Sequence, residues 1–303
     1  MDPVAPLSAW YAGQRRDLPW RGAAVGPWGV LVSEVMLQQT PVVRVEPAFR
    51  TWMDRWPAPR DLAAEAPGEA VRAWGRLGYP RRALRLHAAA VQCVERFEGE
   101  VPVDDADLRS LPGVGDYTAA AVAAFAYGRR RAVLDTNVRR VHARLLDGAA
   151  FPSSSAPTVG ERARALDLLP PDGPSAATFS VAVMELGALV CTARAPRCDQ
   201  CPVSGACAWR AAGSPAWDGP PRRGQNYDGT DRQCRGRLLA VLRETDGPVL
   251  ATALEPVWPD PVQRARALDG LVADGLVEPL SDAGPTPALA TSYRLPTHHP
   301  PPR

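Results

Sequence analysis

The segment from Cys191 to Cys207 constrains the fold of this chain more than any other feature, because it holds four of the six cysteines. Their spacing is Cys191-x6-Cys198-x2-Cys201-x5-Cys207. In a reducing compartment such a run indicates metal ligation rather than disulfides. An all-sulfur ligand set suits either an iron–sulfur cluster or zinc. Zinc ribbons usually present two Cys-x-x-Cys pairs, whereas only Cys198 and Cys201 are so paired here, so the spacing favours an iron–sulfur cluster.

The region that precedes these cysteines has the pattern of an all-α body. Apolar residues recur at helical spacing, as in Val138, Val141 and Leu145, and alternating strand patterns are scarce. Gly and Pro residues divide the region into helices of ordinary length, which predicts a compact multi-helix domain. No apolar run of about eighteen residues occurs, and the start lacks the pattern of a secretory signal. We therefore expect a cytoplasmic protein with no membrane partner.

The composition changes after Cys207, which predicts a division into domains. Residues 1–212 are expected to form the helical domain with its cysteine loop. Residues 213–232 are rich in Gly, Pro and Arg and are predicted to be a linker. A second, small unit is predicted over residues 233–296, and residues 297–303 are expected to be a frayed tail.

The small unit has the pattern of a winged helix. Helical periodicity covers residues 235–243 and 262–272, and two short strands are predicted at residues 275–277 and 292–295. Two helices followed by a two-stranded wing would form a winged-helix-like α+β unit. A small capping subdomain of the same length would leave the same pattern.

A glycine-rich turn precedes an alanine-rich helix that is predicted to begin near Thr118. Its sequence is Leu111-Pro112-Gly113-Val114-Gly115. Two glycines in a tight turn at a helix N-terminus expose backbone N–H groups that can bind a DNA phosphate, here those of Gly113, Val114 and Gly115. This is a helix-hairpin-helix pattern, although a plain turn between two helices would have the same residues.

Two carboxylates stand in positions that need an explanation. Asp135, in Leu-Asp-Thr-Asn-Val, lies where an apolar segment ends and a helix begins, which predicts an N-cap. An N-cap role and a catalytic role can coexist. Glu34 is the one acidic residue of the Ser-Glu-Val-Met-Leu-Gln-Gln-Thr segment, and a lone helical Glu is more often a solvated surface residue.

Taken together, these motifs resemble those of the adenine DNA glycosylases (MutY type) of the helix-hairpin-helix DNA glycosylase superfamily. The resemblance covers about Leu7 to Ala208, and the motifs that carry it in matching order are SEVMLQQT, Leu77-Gly78-Tyr79, LPGVG followed by Tyr117, LDTNV, MELGALVC and the cysteine spacing. It implies an all-α, two-lobed fold with a 4Fe-4S cluster held by Cys191, Cys198, Cys201 and Cys207. It further implies a nucleoid-associated monomer that acts on double-stranded DNA, releasing adenine mispaired with 8-oxoguanine or guanine in base excision repair.

The resemblance also assigns roles to individual residues. Glu34 is implied to be the general acid that protonates N7 of the extruded adenine, and Asp135 to stabilise the oxocarbenium-like sugar. Asn137 and Tyr117 are similar to residues that orient Asp135 and the sugar. The positions that match the adenine pocket are Arg16, Trp20, Arg21, Leu37 and Glu185. Gln39 and Tyr79 match residues that wedge into the duplex beside the extruded base.

Several features separate the competing interpretations. All 35 basic residues are arginine, so no lysine can form a Schiff base, and we expect a monofunctional hydrolase without lysine-based lyase activity. The missing lysine opposes an endonuclease III-like pyrimidine-lesion glycosylase and lyase, and the two carboxylates oppose a catalytically inactive iron–sulfur DNA-binding protein. The arginine runs are expected to contact phosphates and to support the cluster loop.

Two positions or segments depart from the family pattern. The family's usual second tyrosine is Pro80 here, which should stiffen the loop but leave the Tyr79 wedge in place. The residues after the linker are too few and too helical for the family's Nudix-like domain, which reads 8-oxoguanine. The preferred opposite base and the role of the C-terminal unit therefore stay open at the level of sequence.

Overall fold

The chain is mostly helical, as predicted. The computed structural model describes residues 2–22, 24–219, 227–281 and 291–298. The helices before the cysteine segment are α1 (Val4–Gln14), α2 (Gly26–Leu37), α3 (Val42–Arg55), α4 (Pro59–Ala63), α5 (Pro67–Trp74), α6 (Arg81–Arg96), α7 (Asp105–Ser110), α8 (Asp116–Phe125), α9 (Thr136–Leu145), α10 (Val159–Leu168) and α11 (Gly173–Leu189). They are followed by α12 (Ala208–Ala211), α13 (Asp231–Glu244), α14 (Pro261–Ala273) and the strands β1 (Val249–Leu250), β2 (Glu278–Leu280) and β3 (Ser292–Arg294). Among the described residues, no helix has the length and apolar character needed to span a membrane.

The chain divides into two compact units. Unit 1 contains Met1–Leu31, Val103–Arg109 and Val114–Pro221. Unit 2 contains Val32–Pro102, Ser110–Gly113 and Arg222–Arg303. The predicted linker, residues 213–232, and the predicted tail, residues 297–303, lie partly outside the described residues.

Unit 1 is built around α11, which packs against both α1 and α9. Its core contains Leu7 of α1, Val138 and Val141 of α9, and Phe179 and Leu186 of α11, all of them buried. The helical spacing that predicted α9 therefore identified its core face. Burying these apolar faces provides the main stabilisation of the helices, since isolated helices of this length are marginal in water.

Close approach of α11 to the rest of unit 1 depends on glycine. A Cβ atom added to Gly173, the first residue of α11, would lie 1.7 Å from the carbonyl oxygen of Gly128. A Cβ atom added to Gly187 would lie 2.8 Å from Cβ of Asn137 at the start of α9. Both ends of α11 can therefore pack this closely only because Gly173 and Gly187 have no side chain.

Unit 2 has a core of tryptophan side chains. Trp52 lies edge-on to Trp56, with ring centroids 4.6 Å apart, and to Trp74, at 5.7 Å. All three side chains are almost completely buried. In this unit α6 packs along α4 and α5, and α3 packs against α5. Such aromatic pairs stabilise a core beyond their area of burial.

The predicted helix-hairpin-helix pattern corresponds to α7, the turn at residues 111–115, and α8. Gly113 has a φ of +84°, a left-handed backbone that favours glycine. Gly115 precedes α8, which begins at Asp116, two residues before the predicted start at Thr118. The turn requires its first glycine, and this separates the pattern from an arbitrary loop.

The C-terminal segment has the element order of a winged helix. Helix α13 is followed by β1, a 3₁₀ helix at Ala251–Val257, α14, β2 and β3. The three strands form an antiparallel sheet in the order β1-β3-β2. The two helices and the small antiparallel sheet agree with the predicted winged-helix-like α+β unit, and these residues form one compact unit with residues 32–102.

The strand positions in this unit differ from the prediction. Gly275, with a φ of +70°, ends α14, and Leu276 and Val277 are buried in the connection, so that β2 begins only at Glu278. The predicted strand at residues 275–277 was therefore wrong in position. Strand β1 was not predicted, because two residues are too few for an alternating pattern.

The glycine contact of α11 gives a testable prediction. We expect Gly173→Ala to lower the free energy of unfolding by about 1–3 kcal/mol, because the new methyl group must displace backbone. The matched control is Gly13→Ala in α1, where nothing lies within 4 Å of the added Cβ. It should change stability by less than about 1 kcal/mol, in the stabilising direction. Urea unfolding followed by circular dichroism measures both, and equal midpoints for the two variants would contradict the proposed close contact.

Candidate active site

Asp135 is held rigidly at the N-terminus of α9. The backbone N–H of Val138 donates to Asp135 Oδ1 at 2.6 Å, and Asn137 Nδ2 donates to Oδ2 at 3.0 Å. The predicted N-cap is therefore confirmed. Burial raises the pKa of the Asp135 carboxyl, and the hydrogen bonds from Val138 and Asn137 and the charge of Arg140 offset part of that rise. A carboxylate so fixed can face a developing positive charge without reorganising.

A buried guanidinium in turn holds Asn137. Arg140 donates to Asn137 Oδ1 at 2.9 Å, to the Gly187 carbonyl at 2.7 Å and to the Cys191 carbonyl at 2.9 Å. One side chain therefore links the first cysteine of the metal-binding segment to the amide that orients Asp135. The absent side chain of Gly187 is what lets α11 come close enough for this contact.

The buried ion-pair network around Glu185 contains two more of the predicted pocket residues. Glu185 is fully buried and accepts hydrogen bonds from the Arg16 guanidinium at 2.7 and 2.9 Å and from the Arg21 guanidinium at 2.9 Å. Burial alone would raise the pKa of Glu185, but the bonds from Arg16 and Arg21 outweigh it and lower the pKa to about 2. Trp20 directly precedes Arg21 in the 3₁₀ helix Pro19–Arg21, and its side chain is buried. Glu185 is therefore a permanently charged anchor for this turn.

Tyr117 lies in the first turn of α8 and is half-buried. It packs against a small cluster formed by Ala121, Ala124 and Val133. Val133 precedes Asp135 by two residues, so Tyr117 packs on the segment that leads into the Asp135 N-cap. The structure thus brings the side chain of Tyr117 to the same part of unit 1 as the Asp135 segment.

In unit 2, Glu34 lies in α2 and is buried, with 6% of its surface exposed. Glu34 therefore does not occupy the solvated surface position that is typical of a lone helical Glu, an interpretation that the resemblance had already displaced. Leu37, the last residue of α2, is half-buried. Helix α2 is apolar around Glu34, and burying an ionisable group in such a helix is costly unless the group has a function or a partner.

The two residues predicted to wedge into DNA share an unusual backbone. Gln39 has a φ of +57° and Tyr79 a φ of +47°, and both are exposed, Tyr79 by 49%. Residues other than glycine rarely adopt this left-handed conformation, which costs about 1–3 kcal/mol where it is held. Such strain persists only where neighbouring groups fix the turn.

Arg82 fixes both turns. Its buried guanidinium donates to the carbonyls of Val35 and Gln38 at the end of α2, to Thr40 Oγ1 at 2.9 Å, and to the carbonyl of Gly78 at 2.9 Å. Burial lowers the pKa of Arg82 to about 10, so the side chain still carries its charge at neutral pH. The turns that carry Gln39 and Tyr79 therefore share Arg82 as a common hydrogen-bond donor.

The structure corrects part of the prediction that the arginine runs contact DNA phosphates. Arg82, Arg139, Arg140 and Arg144 are all buried and bind main-chain carbonyls, so these four are not phosphate contacts. Arg140 and Arg144 do support the cysteine segment, as expected. Arg85 is exposed, and its stem packs against Gly113 of the hairpin, 3.0 Å from where a Cβ would lie. No sequence pattern separated the buried arginines from the exposed ones.

The cysteine segment has the donor set that an iron–sulfur cluster needs. Burial raises the pKa of the Cys201 thiol to about 11, and the nearby sulfurs of Cys191, Cys207 and Cys198 add to that rise. The four sulfurs therefore lie near enough to one another to interact, and together they form the all-cysteine donor set that an iron–sulfur cluster binds. Arg144 donates to Cys191 Sγ at 3.3 Å and so places a positive charge beside the sulfurs of the segment. The residues present fit a 4Fe-4S cluster.

Comparison with known proteins agrees with this geometry. The family described as "HhH-GPD superfamily base excision DNA repair protein" matches residues 32–156. The family described as "Iron-sulfur binding domain of endonuclease III" matches residues 191–207, the span from the first cysteine of the segment to the last. In structure the chain resembles a thermostable thymine-DNA glycosylase, with a TM-score of 0.63 and 27% identity over 69% of this chain and 95% of that one.

Two bacterial relatives match over most of their length. The chain is 54% identical over 283 residues to an adenine DNA glycosylase of Mycolicibacterium smegmatis, which covers 93% of this chain and 94% of the relative. It is 55% identical over 273 residues to an adenine DNA glycosylase of Mycobacterium tuberculosis, which covers 89% of this chain and 88% of the relative. The chain therefore belongs to the adenine DNA glycosylase family of the helix-hairpin-helix superfamily of base excision DNA repair proteins, and its cofactor is a 4Fe-4S cluster.

Proposed function

We propose that this chain is a monofunctional, monomeric DNA glycosylase that hydrolyses the N-glycosidic bond of adenine mispaired with 8-oxoguanine or guanine in duplex DNA. The observation that carries the proposal is the setting of Asp135, a carboxylate fixed by Val138 and Asn137 whose pKa burial raises. An N-cap alone needs no amide to orient it. A carboxylate held on both oxygens is what stabilisation of a cationic sugar requires.

The second group of the mechanism is Glu34. The adenine anion is too poor a leaving group to depart unaided, so a general acid must protonate N7. In this proposal Glu34 supplies that proton from its buried position in α2. Asp135 then stabilises the oxocarbenium-like sugar or traps it, and the Glu34 carboxylate activates the water that completes hydrolysis. The mechanism requires both carboxylates to act on one extruded nucleotide, with Asn137 and Tyr117 orienting Asp135 and the sugar.

Binding residues complete the proposal. Arg16 and Arg21 lie on either side of a turn that also carries Trp20, and both are bonded to Glu185 of α11. We assign these four residues, with Leu37, to the adenine pocket. The backbone N–H groups of Gly113, Val114 and Gly115 would bind a phosphate, with Arg85 exposed beside them.

The remaining assignments concern the wedge and the cofactor. Gln39 and Tyr79 would fill the space left by the extruded base, since both are exposed on turns that Arg82 holds. The four cysteines from Cys191 to Cys207 would hold the 4Fe-4S cluster. That cluster supplies a rigid, charged support for the segment and takes no part in bond cleavage.

The experiment that tests the proposal compares duplexes with adenine opposite 8-oxoguanine, adenine opposite guanine, and an oxidised pyrimidine. We expect single-turnover release of adenine, with strand cleavage only after alkali, because no lysine can form a Schiff base. Glu34→Gln should abolish release while DNA binding persists. The control is Glu46→Gln, an exposed carboxylate paired with Arg50, which should leave the rate unchanged. Release of the pyrimidine lesion, a nick without alkali, or near wild-type release by Glu34→Gln would each refute it.

The setting of Asp135 gives a prediction about pH. Asp135 must be ionised to stabilise the sugar, so its raised pKa sets an acidic limb of the excision rate above that of an ordinary Asp. The hydrogen bond from Asn137 lowers that pKa. Asn137→Ala should therefore move the acidic limb to higher pH, in addition to slowing the reaction at its optimum.

The measurement is the single-turnover rate between about pH 4 and pH 9, a span that contains the ordinary pKa values of Asp and Glu and the region above them. Thr136→Ala, at the exposed neighbouring position, is the matched control and should leave the limb in place. If the rate of Asn137→Ala fell with an unmoved acidic limb, the hydrogen bond to Asp135 would have no electrostatic role.

A further inference from the structure

The C-terminal winged-helix unit contacts helix α5 at its start, in its middle and at its end. At the start of α5, the N–H of Gly68 donates to the Pro296 carbonyl at 2.8 Å, and a Cβ on Gly68 would lie 2.6 Å from that oxygen. In its middle, Arg72 donates to the carbonyls of Arg243 and Thr245. These hydrogen bonds join main-chain carbonyls to a backbone N–H and a guanidinium, so they fix the position of α5 through directional contacts.

Arg243 is the central residue of this contact. It lies near the end of α13 and donates to the Val71 carbonyl at 2.9 Å and to the carbonyl of Gly75, the residue that ends α5. Burial lowers its pKa to about 10, so it remains a cation at neutral pH. Arg243 is half-buried, and its hydrogen bonds within the described residues go to main-chain carbonyls. Leaving such a cation without these acceptors is costly, so the contact holds Gly75 firmly.

Gly75 begins the loop that carries Tyr79. Inside the loop, the indole N–H of Trp74 and the guanidinium of Arg82 both donate to the Gly78 carbonyl, each at 2.9 Å. Directly after Tyr79 and Pro80, Arg81 pairs with Asp274 at 3.3 Å. Asp274 lies just after α14 and also pairs with Arg235 of α13.

The winged-helix unit therefore contacts this loop at both ends. Arg243 holds the end before Tyr79, and Asp274 holds the end after it. Because Tyr79 keeps a left-handed backbone, a loop released at either end would relax toward ordinary conformations.

The helix that would read DNA in a winged helix is poorly suited to that task here. The exposed residues of α14 are mostly apolar or acidic, with one arginine among them: Pro261, Val262, Ala265, Arg266, Asp269 and Ala273. Its two arginines are engaged within the unit: Arg264 binds the Glu255 and Trp258 carbonyls, and Arg266 pairs with Asp231 at 2.7 Å. Within the described part of this unit, both arginines of α14 therefore already have acceptors that a phosphate would have to displace.

We propose that the C-terminal winged-helix unit positions the Tyr79 loop. In this proposal Arg243 and Asp274 hold the two ends of the loop, so that the Tyr79 side chain is already in the conformation that enters the duplex. The proposal rests on the proposed function, because Tyr79 can act as a wedge only if the enzyme extrudes adenine. Arg243 and Asp274 are positioning residues that never touch the substrate. Their effect must therefore pass through the Tyr79 side chain.

A double-mutant cycle tests this dependence in the full-length protein. We compare the wild type, Arg243→Met, Tyr79→Ala and the double variant by single-turnover excision of adenine opposite 8-oxoguanine. Fluorescence of 2-aminopurine beside the target reports extrusion. We expect each single variant to slow excision about tenfold, in keeping with the loss of hydrogen bonds to a charged group. The double variant should be no slower than Tyr79→Ala.

The matched control is Arg237→Met, an exposed arginine of the same helix that stacks on Trp258 and does not contact the loop. It should leave the rate and the 2-aminopurine signal unchanged. Asp274→Asn provides a second double-mutant cycle with Tyr79→Ala, at the other end of the loop. This second cycle tests the positioning role if Arg243→Met fails to fold. We expect a smaller loss of about threefold, since this ion pair is partly exposed, and again no further loss in the Tyr79→Ala background.

The outcomes separate this proposal from the proposed function. If the wild type excises adenine and the Arg243 and Tyr79 effects multiply, the positioning role is refuted while the glycosylase activity stands. If the wild type releases no adenine, both proposals fall. If Arg266→Met lowers DNA affinity and its salt dependence while Arg243→Met changes nothing, the unit binds DNA instead and the positioning role is again refuted.

Discussion

The structure of this protein depends on arginine side chains that are buried and bonded to main-chain carbonyls. A guanidinium has five N–H donors in a fixed plane, so one residue can bind carbonyls from two or three separate segments. Arg140 joins Gly187 and Cys191 to Asn137 in unit 1, and Arg82 joins the end of α2 to Gly78 in unit 2. These segments are turns and helix ends, where neither helix nor sheet would satisfy the carbonyls. Removing such an arginine would leave several buried acceptors without partners at once.

The number of arginines around a carboxylate also decides what that carboxylate can do. Glu185 receives two guanidiniums, which lower its pKa to about 2 despite complete burial, so its charge is already neutralised by its partners. Asp135 receives a backbone N–H and a neutral amide, and Arg140 acts on it only from a distance, so burial dominates and its pKa is raised. An anion without a direct cation partner retains the capacity to stabilise a cation that develops during a reaction. The contrast explains why Asp135, rather than Glu185, suits the sugar.

Sequence patterns predicted the features that local rules govern. Cysteine spacing, helix periodicity, the Gly113 turn and the Asp135 N-cap each depend on residues a few positions apart, and all four were confirmed. The burial of Glu34, the roles of the buried arginines and the left-handed turns at Gln39 and Tyr79 were not predictable in the same way. Each of these depends on groups far apart in the sequence, as Arg82 and Val35 are, and no periodicity reports such a contact.

In the positioning proposal, the C-terminal segment acts through its contacts with the rest of unit 2. It contacts α5 and the Tyr79 loop through main-chain carbonyls and the ion pairs Arg81–Asp274 and Arg72–Asp246, so these contacts constrain few other side chains. A domain that reads the opposite base needs a polar face that matches that base, whereas a domain that holds a loop needs only to fix its two ends. If the positioning role is correct, the choice between 8-oxoguanine and guanine falls to the catalytic domain, and it depends on how well the turns of Gln39 and Tyr79 fit the duplex around each base.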